Sequence, residues 1–209
     1  VSMEGACANL RAEMPDWDFD GTVAQAQRIW NDELGRIRIK TSDPDVRKIF
    51  YTALYHTMIA PSIFCDTDGA YRGADGMTHE NPGYNTHTTY SLWDTYRAAM
   101  PLYSIFQTER YTDMLQTMLA ICDEQGKLPV WHLHGCETNC MVGNPGIIPI
   151  ADAIVKGLPG IDYAKAFEAV KVSALRPDRG QDLRMKHGYI PCDLFNESVA
   201  YDLEYALAD

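Results

Sequence analysis

The sequence predicts a mainly α-helical domain interrupted by one β-hairpin-like insertion around residues 62–90. Three observations carry this. Apolar residues recur at spacings of three and four through about seven successive segments, the period of an amphipathic helix. Several segments open on Ser, Asp or Asn and close on Gly, the residues that cap helix ends. No parallel βαβ unit and no alignable repeat is present, so consecutive helices joined by short returns are expected to pack as antiparallel neighbours.

Residues 2–18 have weak periodicity and are expected to hold one short helix. Residues 22–34 are amphipathic, with Val23, Ala26, Ile29, Trp30 and Leu34 on one face and Gly35 as the stop. Residues 36–40 alternate apolar and charged side chains and read as a short strand. Ser42 or Asp43 caps the next helix, with Pro44 in its first turn, where a missing N–H costs nothing. That helix is expected to run to about Ala60, with Phe50, Leu54, Tyr55 and Met58 as its apolar stripe and His56 as a core histidine.

Residues 62–90 are punctuated by Gly69, Gly73, Gly76, Pro82 and Gly83 and read as strand, turn, irregular loop, strand. So long a loop in a compact domain is uncommon and often functional. Asp66, Asp68 and Asp75 suggest an oxygen-rich calcium loop, but the spaced acceptors and terminal Glu of an EF-hand do not follow. Tyr71 and Arg72 are candidates to face a polar ligand. Residues 91–106 read as one helix carrying Trp93, Asp94 and Arg97 near its start. Asp94 and Arg97 are three apart and share a helical face. Asp94 is either a first-turn carboxylate favoured by the helix dipole or an acceptor for sugar hydroxyls held by Arg97, with Trp93 beside it.

Helices are further expected over residues 108–125, ended by Gly126, over residues 146–158, and over residues 163–175 behind an Asp162 cap. The charged stretch 176–188 reads as a loop or short helix. Asn196 is expected to cap a last helix with Val199, Leu203, Ala206 and Leu207 inward.

Composition narrows the function. The chain has 209 residues, 46% hydrophobic and 22% charged, enough for one domain with a sizeable core. No apolar run reaches membrane-spanning length. A net charge of −11 argues against a nucleic-acid partner and suits a neutral substrate or a bound cation. The six cysteines show no disulfide framework and are expected to be mostly buried thiols. The opening VSMEGACANLRAEM lacks the pattern of a signal peptide, and Asp209 falls inside a helical pattern, so a fragment at both ends is expected.

One stretch is chemically distinctive. In KLPVWHLHGCETNCMVGN, residues 127–144, Pro129 and Gly135 break regular structure and predict a loop between two helices. Glu137 is its single acidic residue, among Cys136, Thr138, Asn139, Cys140 and Met141. A carboxylic acid desolvated by apolar and thiol surface is a candidate proton donor. Trp131 offers a flat apolar face for a sugar ring. The alternative is a helix-capping Glu on an ordinary loop. His132, His134, Cys136 and Cys140 also suggest zinc, without the spacing of a closed site.

The pattern G-x-E-T-x-x-M after L-P-x-W resembles the family-92 glycoside hydrolases, calcium-dependent exo-α-mannosidases. FYTALYHT (50–57), DGAYRG (68–73), YSLWDTYR (90–97), Pro101-Leu102, IADAIVKG (150–157) and NESVAYDLEYA (196–206) match that family in order. The resemblance implies an (α/α)6 toroid, with residues 21–209 as its first half and residues 1–20 as a lead-in after a missing N-terminal β-sandwich. It implies removal of terminal α-linked mannose, α-1,2-linked above all, from mannosides or N-glycans by inversion, with Glu137 as the catalytic acid. Trp93, Asp94 and Arg97 would wall the mannose pocket, with Tyr71, Arg72 and Trp131 as further lining. The general base and most calcium ligands would lie outside this chain, so no metal ligand is assigned within it. Expected partners are mannose-containing glycans and the remainder of the polypeptide, and the expected location is extracytoplasmic. The rival reading is a non-catalytic helical carbohydrate-binding or interaction domain.

Overall fold

A computed structural model describes residues 1–208, with side chains described through Ala206. The helices are α1 (Met3–Glu13), α2 (Phe19–Leu34), α3 (Pro44–Thr57), α4 (Leu92–Thr95), α5 (Ala99–Phe106), α6 (Thr108–Gln125), α7 (Ile147–Lys156), α8 (Tyr163–Leu175), α9 (Gln181–His187) and α10 (Ser198–Ala208). Strands β1 (Ser62–Ile63), β2 (Tyr71–Arg72), β3 (Thr78–His79), β4 (His87–Thr88), β5 (Tyr90–Ser91), β6 (Trp131–Leu133) and β7 (Cys136–Glu137) form three small antiparallel sheets, β1–β4, β2–β3 and β5–β6–β7. The mainly helical fold class is as the sequence predicts.

Cap chemistry sets several boundaries. Asp18 accepts from Gly21 N and starts α2 three residues before the predicted start. Asp43 accepts from Asp45 N and Val46 N to open α3, and Asp162 does the same for α8 through Ala164 N and Lys165 N. Gly126, at φ 80°, closes α6 in the left-handed conformation that glycine adopts without steric cost.

Four expectations fail locally. Residues 36–40 form no strand. The predicted helix 91–106 is two helices, because Pro101 cannot donate to the carbonyl of Arg97 and its ring crowds that carbonyl. His56 is exposed rather than in the core, and α3 ends at Thr57. Four of the six cysteines, Cys7, Cys136, Cys140 and Cys192, are exposed, and all six are free.

The core is organised on α6. Tyr111, Met114, Leu115, Met118, Leu119, Ile121 and Cys122 pack with Met100 and Tyr103 of α5, Ile147, Ile150 and Ala153 of α7, and Ala166 and Ala169 of α8. Tyr90 and Leu92 join this cluster, so the start of α4 is anchored in the core. By contrast, α2 buries no residue, and Ile29 is 52% exposed. Helix α10 has the expected period but a different phase. Val199 (78%) and Leu203 (59%) face outward, while Glu204 and Tyr205 are buried. The inward face expected through Leu207 cannot be followed that far, since that side chain lies outside the described residues.

Two buried histidines give the fold a pH dependence. Burial lowers the pKa of His87 and of His132 below 6.5; a hydrogen bond to the Asn85 carbonyl partly offsets this at His87. The unfolded chain therefore binds these protons more readily, and their contribution to stability is present above about pH 6.5, the unfolded value, and is lost as pH falls from there through the lowered native-state values. We expect Tm to fall between pH 7.5 and 5.5 and His132→Gln to flatten that slope. A Tm constant across the window in the wild type would overturn this.

Candidate active site

The run 127–144 is not a plain loop. Its backbone N–H and C=O groups need partners, and β6 and β7 supply them as a hairpin that docks on β5. Ser91 pairs with Trp131, Tyr90 with His132, His132 with Glu137 and Leu133 with Cys136. The hairpin therefore places the start of α4, which carries Trp93 and Asp94, beside Trp131, with Glu137 one strand further on, across β6 from Tyr90. His134 N donates to Thr88 Oγ1 at 2.7 Å and fixes the turn to β4.

Directly paired residues share a sheet face and successive ones alternate. Glu137 thus leaves the sheet on the face of His132, and Trp131 leaves on the face of Ser91. The two meet through the backbone rather than by stacking.

The Glu137 carboxylate turns back on its own loop. Oε2 accepts from Val130 N at 2.7 Å, and Oε1 accepts from Trp131 N and Asn139 N, both at 2.9 Å. The side chain is half-buried, but its surroundings are backbone N–H groups, not the thiol surface that the sequence suggested: Cys136 and Cys140 are exposed. A carboxylate offers about four acceptor positions. Three are occupied here, and the remaining one is on Oε2.

At the start of α4, Ser91 Oγ donates to Asp94, which is exposed. Trp93 is half-buried, and its indole N–H has no acceptor among the described residues. Asp94 and Arg97 do not pair with each other as their spacing suggested. Arg97 Nε donates to Tyr96 Oη at 2.6 Å, and Nη2 meets Glu204 Oε1 of α10 at 3.2 Å.

Two further candidates part company. Arg72 lies against Gly135 at the hairpin turn; a Cβ on Gly135 would sit 3.2 Å from the Arg72 carbonyl oxygen, and Gly135 holds φ 77°. Tyr71 is buried, and its hydroxyl donates to Glu124 Oε1 of α6 at 2.8 Å. Glu124 Oε2 also accepts from Ala74 N at 2.6 Å. Tyr71 therefore fastens the β2–β3 hairpin to α6, and burial beside Glu124 raises its pKa.

The zinc reading fails because the strand ends at Leu133. His134 has φ 49° and is exposed, while His132 is buried. Among the described residues no group of three or more His, Cys, Asp or Glu side chains could hold a metal ion. Asp66, Asp68 and Asp75 take separate partners: Asn9, Ala70 N and His79.

Sequence reasoning missed three residues that hold the Glu137 loop. Arg179 Nη1 donates to the Asn139 carbonyl at 2.6 Å, and Nη2 donates to that of Met141. The guanidinium lies over Tyr201, 5.1 Å from the ring centroid. Buried Lys127 donates to Asn139 Oδ1; burial lowers its pKa, and Asp178 opposes that. Glu204 lies so close to Gly143 that a Cβ there would come within 2.3 Å of Glu204 Cβ. For Arg179 the available signal was the charged character of 176–188, which sequence reading took as a loop or short helix without giving it a role at the site. An open groove of about 800 Å³ adjoins the loop, lined by Met141, Val142, Cys192, Asn196, Glu197 and Tyr201 among others.

Comparisons with known proteins give this geometry its setting. Residues 5–209 match the family model described as the glycosyl hydrolase family 92 catalytic domain. The fold is similar to that of the family GH92 alpha-mannosidase BT3965 of Bacteroides thetaiotaomicron, with TM-score 0.95 and 37% identity over 100% of this chain and 28% of that one. A structure of that same mannosidase in complex with mannoimidazole matches equally. The inverting mannosidase BT2199 of the same organism aligns with TM-score 0.89 and 29% identity, over 100% of this chain and 29% of that one. An uncharacterized secreted glycosidase of Arthroderma benhamiae is 27% identical, over 100% of this chain and 26% of its own length. The chain thus spans little more than a quarter of these relatives, and it belongs to glycosyl hydrolase family 92.

Proposed function

We propose that the protein to which this chain belongs removes terminal α-linked mannose, α-1,2-linked above all, from mannosides or N-glycans by inversion. Glu137 is its general acid, and Trp93, Asp94 and Arg97 wall the sugar pocket, with Trp131 at the start of β6 and Arg72 against the hairpin turn. The observation that carries the reading is the Glu137 carboxylate itself. It is held by backbone N–H groups, with one acceptor position left on Oε2, in a chain of a glycosidase family. A proton at that position is the one to hand to the departing glycosidic oxygen. The mannoimidazole complex of the similar mannosidase supports a mannose-shaped pocket.

Inversion requires a second carboxyl group about 6.5–9.5 Å away, across the sugar, to activate water. We place that base outside this chain. The exposed apolar faces of α2 and α10 support further chain packing there, as a toroid would require. We extend calcium dependence to this protein from the family resemblance. Among the described residues no group of three or more His, Cys, Asp or Glu side chains could hold it. The secreted relative supports an extracytoplasmic location, and no helix among the described residues is long and apolar enough to cross a membrane.

One observation favours the non-catalytic alternative: both Glu137 oxygens already serve the loop backbone, as they would in a purely structural turn. The test is hydrolysis of α-mannobiosides by the full-length protein, followed by proton NMR. We expect β-mannose as the first product, with the α-1,2 linkage preferred. No hydrolysis of any α-mannoside, with calcium supplied, would favour the binding module; α-mannose first would sink inversion.

A further inference from the structure

Arg97 is exposed, yet its guanidinium is not free to swing. Nε donates to Tyr96 Oη at 2.6 Å, Nη2 meets Glu204 Oε1 at 3.2 Å, and Tyr96 Oη approaches Glu204 Oε2 at 3.5 Å. These contacts close a ring around one edge of the guanidinium and leave the Nη1 donors outside it. Tyr96 is 5% exposed and Glu204 is 7% exposed. A carboxylate this buried is costly unless a cation and hydrogen bonds satisfy it. That requirement accounts for the phase of α10, which turns Glu204 inward and leaves Val199 and Leu203 to solvent. The same residue has a second contact. Its Cβ lies against Gly143, six residues beyond Glu137, where φ is 74° and no side chain would fit.

We propose that Glu204 is a positioning residue of the sugar pocket. With Tyr96 it fixes the Arg97 guanidinium so that Nη1 meets a sugar hydroxyl, and through Gly143 it keeps that donor in register with the Glu137 loop. The ligand this suits is a neutral sugar with adjacent hydroxyl oxygens as acceptors. The proposal rests on the reading of Arg97 as a sugar-binding residue.

The experiment is a double-mutant cycle in the full-length enzyme: Glu204→Gln, Arg97→Ala, the double variant, and Tyr96→Phe. KM and kcat are measured on an alkyl and an aryl α-mannoside, with Tm as a check on folding. Misplacement of a binding group by about 1 Å can cost about 10²-fold. We expect Glu204→Gln to lower kcat/KM by about 10- to 100-fold, mainly through KM and equally on both substrates. It should cause no further loss once Arg97 is alanine. Tyr96→Phe removes one hydroxyl and leaves the ion pair, so it should give a smaller loss in the same direction, and it carries the test if Glu204→Gln fails to fold. An equal loss from Glu204→Gln with and without Arg97 would mean that Glu204 acts through the fold, and the proposal falls while the pocket assignment stands. Wild-type kinetics in Arg97→Ala would overturn the sugar-binding reading of Arg97 itself.

Discussion

On the proposed reading of Glu137, we expect its replacement by glutamine in the full-length protein to lower kcat/KM on an alkyl α-mannoside by about 10²–10⁴-fold, the usual contribution of general acid catalysis. Glutamine keeps the size and an acceptor oxygen but has no proton to transfer. An amide oxygen can also replace only one of the two carboxylate oxygens that accept from Val130 N, Trp131 N and Asn139 N. Two effects must therefore be separated, loss of the proton and loosening of the loop. The leaving group separates them. An alkoxide needs protonation as the glycosidic bond breaks, and a nitrophenolate does not. If Glu137 is the acid, an aryl mannoside loses much less than an alkyl one. Equal losses on the two substrates would assign Glu137 to holding the loop and place the acid elsewhere. Tm reports the loop term directly.

The helical fold was legible because it rests on local signals. Asp43-Pro44, Asp162 and Gly126 cap helices by chemistry within a few residues, and the α6 stripe from Tyr111 to Cys122 is buried as its period requires. What depends on pairing distant in sequence was not legible. The β5–β6–β7 sheet joins residues 90–91 to 131–137, and strands of two or three residues carry too little alternation to declare themselves. The period of α10 was legible but its phase was not, because a buried Glu204 is explained only by Arg97 and Tyr96, more than a hundred residues earlier. Pro101 was visible in the sequence and should have divided the helix at 91–106; its effect on the Arg97 carbonyl follows from covalent geometry alone. Glu137 was singled out by its isolation among uncharged residues. The backbone donors that hold it could not be foreseen, since they depend on the hairpin register.

Arg179→Ala should reproduce part of the Glu137 defect from a distance. Asn139 and Met141 stand at φ 50° and 68°, a left-handed conformation that is unfavourable for residues with a side chain. Arg179 donates to the carbonyls of both. Its own placement is set by Tyr201 beneath the guanidinium and by Tyr205, whose hydroxyl donates to the Arg179 carbonyl at 3.0 Å. Without the guanidinium, both carbonyls lose a charged donor and the left-handed pair is free to relax. Asn139 N then moves away from Glu137 Oε1, and the carboxylate loses one of the donors that aim it. Hydrogen bonds to charged groups contribute about 1.5–3 kcal/mol when buried, and these are partly exposed, so a stability loss of about 1 kcal/mol is expected. The catalytic loss should be larger, about 10²-fold in kcat/KM, because placement of a reacting group is steeply distance-dependent. If Arg179 acts through Glu137 as the proposed acid, its loss should be greater on the alkyl than on the aryl mannoside, unlike that of Glu204→Gln. Arg179→Lys keeps the charge but not the planar fork that spans two carbonyls, so its loss should fall between wild type and alanine. A Tm decrease with unchanged kcat/KM on both substrates would show that the loop keeps its shape without Arg179 and that the clamp serves stability alone.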